Sequence, residues 1–252
     1  MSKHNFYMWI TLVSFIIMLI VNCLANTTLL GGRTTGEISN MYPTYMTPAG
    51  YAFTIWIVIY ILLAGFIYYL FRQNNIGRKS ISSIGIVFTL SNIINILWLL
   101  LWQYLYIELS VVAMLLLLLT LIHLYRRTMQ ITNLTIIEQW IVKLPFSLYL
   151  GWISIATILN IAIVLSKNEW GVFDLEERTW AVLMLCIGGV VALLSSYPYR
   201  DSVIPLVYIW AYIAIALKQR NDEQVFLAAS ILIVILFVYS MWLFLIRNRD
   251  RD

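Results

Sequence analysis

The chain has 252 residues, 62% hydrophobic and 11% charged, with a mean hydropathy of +0.87. That leaves too little polar surface to coat a water-soluble globule, so lipid must be the main solvent and water-soluble classes are excluded. The net charge of +4 comes from basic residues scattered among loops, which points to anionic lipid headgroups as their partner and gives no sign of nucleic acid.

A hydrocarbon core about 30 Å thick needs roughly 20 apolar residues per helix. Apolar runs predict eight helices, at about residues 6–26, 50–71, 82–106, 109–125, 139–165, 179–197, 203–217 and 225–246. The runs are continuous and lack the strand alternation of an outer-membrane barrel. The expected fold is therefore an all-α integral membrane protein. The first run, from about Phe6 to Ala25, is longer than the apolar part of a usual signal peptide, and Asn22 before Cys23 does not suit lipoprotein processing. A retained first helix is expected.

Sorting the basic residues by loop sets the orientation. With the N-terminus inside, Lys3, Arg72, Arg78, Lys79, Arg126, Arg127, Lys143, Arg200, Arg247, Arg249 and Arg251 fall on the cytoplasmic side. Arg33, Lys167, Arg178, Lys218 and Arg220 fall outside. The asymmetry obeys the positive-inside rule and places both termini in the cytoplasm, as an even helix count requires. A bacterial cytoplasmic membrane is the expected location.

Two connections stand out. Residues 27–48, with GGRTTGEISNMYPTYMTP at their centre, form a long link for a compact bundle, and long ordered loops are often lids. The acidic, aromatic segment 167–177 (KNEWGVFDLEE) separates five N-terminal spans from three C-terminal ones, so the expected division is 1–166 and 167–252. In the second part, the SSYPYRD segment at 195–201 reads as a tight interhelical turn.

Residues for acid–base or metal chemistry are few. Cys23 and Cys186, both within apolar runs, build neither a disulfide framework nor a zinc spacing. Glu108 sits at a turn and Glu138 at an interface, so no carboxylate lies at mid-membrane to drive a proton or ion carrier. His123 is the only histidine in a predicted helix; it would suit an axial ligand, but with Arg126 and Arg127 nearby it reads more simply as an interfacial side chain.

The aromatic inventory is richer, with 10 Trp, 16 Tyr and 11 Phe. Interfacial belts account for some, such as Trp9, Trp140, Trp170 and Trp180. Others recur at helical spacing. Phe53, Trp56 and Tyr60 share a face of the second span, just after Tyr51; Asn95, Trp98 and Trp102 share one on the third; Tyr149, Trp152, Ala156 and Asn160 follow on the fifth. Each stripe mixes large rings with a hydrogen-bonding group, as an apolar pocket with few polar anchors would. Plain helix packing gives the same spacing, and buried Asn can simply join helices.

Three segments carry a family resemblance. PTYMTPAGYAFTIWIVIYILLAG at 43–65 resembles the first loop and second helix of the translocator protein family, also called tryptophan-rich sensory proteins or TspO/MBR. NIINILW at 92–98 resembles its third helix and LPFSLYLGWISIATILN at 144–160 its fifth. The resemblance covers about residues 1–166. It implies a five-helix bundle that binds a tetrapyrrole (porphyrin or heme-like), a sterol or a similar aromatic molecule under the 27–48 loop. Trp56, Asn95, Trp98, Trp152, Ala156 and Asn160 are the contacts it implies, and a homodimer is its usual assembly. The chain departs from the pattern at Pro48-Ala49, where the family has paired prolines, and in the three extra spans. The expected function is ligand binding or sensing in a membrane. Small-solute transport is the alternative, and a tetrapyrrole-degrading enzyme rests on the resemblance alone, since no catalytic set is present.

Overall fold

Unbroken apolar sequence in hydrocarbon must satisfy its own backbone, and helices do so within each segment. The computed structural model describes residues 3–72, 79–131, 134–168 and 176–249, and no strand occurs among them. The helices are α1 (Lys3–Asn26), α2 (Thr35–Met41), α3 (Ile55–Leu70), α4 (Lys79–Gln103), α5 (Ile107–Met129), α6 (Ile136–Val142), α7 (Leu144–Lys167), α8 (Glu177–Ser196), α9 (Val203–Lys218) and α10 (Glu223–Arg249). Short 3-10 turns, Gly50–Thr54 and Tyr197–Tyr199, lead into α3 and out of α8. Arg78, Arg251, Trp170 and the rest of 169–175 lie outside the described residues, as do the side chains of Lys3, Lys79, Arg247 and Arg249.

Seven segments among the described residues are long and apolar enough to cross a membrane. The protein is an all-α integral membrane protein. The eighth expected span forms as α9, an apolar helix of only 16 residues. Both of its ends are cut by turn chemistry. Before it, Arg200 adopts φ 48° and the Asp201 carboxylate accepts the Val203 N–H at 2.9 Å. After it, Asp222 accepts the Val225 N–H at 3.1 Å and starts α10. The expected 139–165 span is also divided: a capping box between Thr135 and Glu138 starts α6, which ends at Val142, and α7 begins at Leu144 with Pro145 in its first turn.

The chain forms two compact units. Unit 1 comprises Met1–Ile38 and Ile55–Leu150; unit 2 comprises Ser39–Thr54 and Gly151–Asp252. In unit 1, α4 packs against α1 and α5. The α1–α4 seam carries hydroxyls and amides: Thr11 and Thr89 Oγ1 lie 2.9 Å apart, and Asn92 donates to Ser14 Oγ at 3.1 Å. Such pairs join helices where lipid supplies no hydrophobic drive between them. The turn from α4 to α5 is tight because Leu105 takes φ 62°, letting the Tyr106 N–H reach Leu101 O at 2.8 Å.

In unit 2, α10 packs on α9 and α8. Small residues set the approach distances. A Cβ at Gly151 would lie 3.1 Å from Val207, and one at Gly188 would collide with the Tyr212 hydroxyl, which donates to Leu185 O at 2.6 Å. Tyr208 likewise donates to Ser154 Oγ at 2.7 Å. Both of these buried phenols thus have a partner, as a low-dielectric interior demands.

Candidate functional site

Helix α4 supplies the frame of the site in unit 1. Asn95, Trp98 and Trp102 follow one another at intervals of three and four, so they share a face, and all three are buried. Asn95 sits at the centre of an amide chain. It accepts from Asn22 Nδ2 of α1 at 3.0 Å and donates to the Tyr149 hydroxyl of α7 at 3.2 Å, while Asn22 also donates to Met18 O at 2.9 Å. One short row of polar groups therefore ties three helices together.

Rings surround that row. Trp56 stacks on Tyr60 with centroids 5.2 Å apart and planes at 20°, and meets Tyr149 edge-on at 5.8 Å. Trp98 stacks on Trp102 at 6.2 Å and 27°. The first half of the long loop closes against the end of α4. Trp102 donates to Thr35 O at 3.3 Å, and Gln103 donates to Ala25 O at 3.2 Å and to Thr35 Oγ1 at 3.4 Å. Gly31, at φ 72°, lies so near Gln103 O that a Cβ would stand 2.8 Å from it. Only glycine fits there.

Two donors inside this cluster have no hydrogen-bond partner, the Tyr60 hydroxyl and Trp98 Nε1. The acceptor atoms Asn92 Oδ1 and Gln103 Oε1 on α4 are also buried without one. An unmet donor or acceptor in a protein interior costs about 1–3 kcal/mol, so each of these groups calls for a partner, which a water molecule or a guest can supply.

Of the expected site residues, unit 1 holds Trp56, Tyr60, Asn95, Trp98, Trp102 and Tyr149, of which Asn95, Tyr149, Trp56 and Tyr60 are linked by direct contacts and Trp98 pairs with Trp102. Tyr51, Phe53, Trp152, Ala156 and Asn160 belong to unit 2. There Phe53 meets Trp152 edge-on at 6.1 Å, Tyr51 meets Trp210 edge-on at 5.2 Å, Asn160 is buried and Ala156 half-buried. Sequence reasoning missed Asn22 as a member of the amide chain, and Gln103 and Thr35 as the pair that fastens the loop to the end of α4. A lone Asn within the 20-residue apolar run of α1 was the signal for the first.

The hydrogen-bonding groups of the site are amides, indoles and phenols, which hold and orient a molecule but do not exchange protons near neutral pH. His123 is exposed. Glu138 accepts from the Tyr69 hydroxyl at 2.6 Å while capping α6, a structural duty. Among the described residues no group of three or more His, Cys, Asp or Glu could hold a metal ion.

A helical membrane bundle whose interior mixes stacked rings with a few amides defines a class, the polytopic membrane proteins with an aromatic core. The family comparison narrows it. The model of the TSPO-like protein family matches residues 8–242, and the chain belongs to that family. The matched range includes α8, α9 and most of α10. No match was found among curated proteins or among solved structures.

Proposed function

We propose that the protein binds a flat, largely apolar molecule, such as a tetrapyrrole, a sterol or a similar aromatic compound, among the rings of unit 1. The observation that carries this reading is the pair of unmet buried donors, Tyr60 OH and Trp98 Nε1, set in two stacked ring pairs. Ring faces give contact area to a planar guest, and the two donors suit acceptor atoms on it. The amide chain through Asn22, Asn95 and Tyr149 keeps the surrounding helices in place. The part of the 27–48 loop that belongs to unit 1, residues 27–38, serves as the cap and is fastened to α4 through Thr35. The role is binding or sensing in a membrane, with both termini on the cytoplasmic face by the charge asymmetry of the loops.

Tryptophan fluorescence of the purified protein tests the reading. A porphyrin should quench it saturably, and Trp56→Ala should weaken that binding at least about tenfold, the loss expected for a stacked ring together with its contact area. Trp152→Ala, in unit 2, reports whether that side chain shares in binding. Unsaturable quenching, identical in wild type and variants, would mean that the dye only partitions into the detergent.

A further inference from the structure

Helix α7 has 24 residues, a length of about 36 Å, and so can cross a hydrocarbon core of about 30 Å without help. The seven residues of α6 that precede it are surplus to the crossing. Lys143 caps α6, and Pro145, in the first turn of α7, lacks the N–H that would carry the ladder on from one helix to the next.

Three contacts within unit 1 locate α6. The Tyr69 hydroxyl, in the last turn of α3, donates to Glu138 Oε1 at 2.6 Å. Lys143 Nζ donates at 3.3 Å to the carbonyl of Met129, where α5 ends. Trp9, near the start of α1, meets the Phe71 ring just past α3 with centroids 5.4 Å apart. Helix α6 therefore lies at the end of unit 1 where α3 and α5 stop and α1 begins.

The outward face of α6 is apolar. Ile136, Ile137 and Trp140 share one side of the helix and are 68%, 69% and 62% exposed, while Glu138 and the buried Val142 lie on the other side. The same end of unit 1 is basic. Arg126 and Arg127, in the last turn of α5, and Arg72, just past α3, are all exposed. Unit 1 has three acidic residues, and two of them, Glu37 in α2 and Glu108 at the start of α5, belong to its opposite end. The third, Glu138, is engaged by Tyr69 and by the cap of α6.

Neither bulk solvent suits this arrangement. Water would leave three large apolar side chains side by side in the open, and hydrocarbon would surround two adjacent arginines. The boundary between them accepts both, because it offers acyl chains on one side and phosphates on the other.

We propose that α6 lies in the headgroup plane as a foot of unit 1, with Ile136, Ile137 and Trp140 turned into the acyl boundary and Arg126 and Arg127 binding the phosphates of anionic lipid. The α5–α7 connection is thereby a docking surface for an anionic membrane leaflet. It works independently of the ligand proposed among the rings.

The test uses the full chain in lipid nanodiscs, with a nitroxide attached at Ile137→Cys. Cys23→Ala and Cys186→Ala remove the two native thiols, both of which are exposed. Power-saturation EPR should find the label more accessible to oxygen than to a water-soluble nickel complex, at a depth within roughly 5–10 Å of the phosphates. A label open to the nickel complex places α6 in water and overturns the proposal. A label shielded from both reagents means that protein covers this face, which overturns it equally. Headgroup choice is read with spin-labelled phosphatidylglycerol against phosphatidylcholine. The wild type should favour phosphatidylglycerol several-fold at low salt, and that preference should fall at least about twofold in Arg126→Gln/Arg127→Gln and at high salt. No preference in the wild type, or one that the double variant keeps in full, overturns the role given to the two arginines.

Discussion

Two regions of unit 1 are aromatic and buried, and they differ in what their side chains leave unsatisfied. Phe66, Phe88 and Phe146, from α3, α4 and α7, meet edge-on with centroids 4.9 to 5.8 Å apart, and Phe15 of α1 adds a fourth ring beside Phe88. These rings hold no polar atom, so close contact with one another completes their bonding. The Trp56, Tyr60 and Trp98 region is also ring-rich, but it carries two donors that contact alone does not satisfy. The same three helices thus build a closed plug along one stretch and an incomplete polar lining along another. Density of rings is a packing feature; the unmet donors are what point to a guest.

The largest expected effect lies in the plug. Phe88→Ala removes a fully buried ring that touches three others, and cavity formation there should cost about 3–5 kcal/mol in unfolding free energy. Thermal unfolding in detergent measures it. Ligand affinity of the protein that remains folded should be unchanged, and a lost affinity would show that the plug and the lining are one site. Next comes Asn95→Leu, which leaves the Tyr149 hydroxyl without the amide it accepts from and cuts the link to Asn22. The expected loss is about 1–2 kcal/mol, because bonds between helices in membranes are of modest strength.

How far this contrast was legible in the sequence depends on the scale. Continuous apolar runs revealed the helices, since nothing but a helix can carry such a run through lipid. Periodicity revealed which residues share a face, and Trp56 with Tyr60 and Trp98 with Trp102 do stack. Periodicity does not say which neighbour that face meets. Trp152 lies three residues beyond Tyr149 on α7, yet the boundary between the compact units falls between them, at Leu150 and Gly151. Helix α2 escaped notice because seven residues are too few for a periodic signal, although the Thr34–Glu37 capping pair was readable as a helix start. The shortness of α9 was hidden because hydropathy windows blur the two turns that bound it. The contacts of the 39–54 segment with Trp210 and Gln219 join residues more than 150 positions apart, and no local pattern encodes them.

A smaller effect on stability carries more information about function. Tyr60→Phe deletes only a hydroxyl that has no partner, so stability should change by less than about 0.5 kcal/mol or rise slightly. Porphyrin affinity should fall roughly tenfold if that hydroxyl bonds the guest. Affinity equal to wild type, together with a gain in stability, would make the lining another packed region and dissolve the contrast with the plug.

The smallest expected effect is that of acid, and it should spare both regions, because none of the rings or amides named in either is a carboxylate. The carboxylates that matter lie elsewhere. The Thr34 N–H, donating at 2.7 Å, and the Thr34 hydroxyl hold the Glu37 carboxyl below the usual carboxylate range. Burial pushes the Asp222 carboxyl up, but the Val225 N–H and the Arg178 guanidinium outweigh it and hold the group below that range as well. Both folded values are thus depressed relative to the unfolded chain. The stability they lend is fully present above the unfolded values, near about pH 4, and is lost as pH falls through the folded ones. The unfolding midpoint should stay flat from about pH 7 to 5 and drop only below about 4, with hydrogen exchange rising first at the start of α2 and at the α9–α10 turn. A midpoint already falling between pH 7 and 5 would require a group that titrates at higher pH. Neither the phenyl plug nor the amide lining contains one.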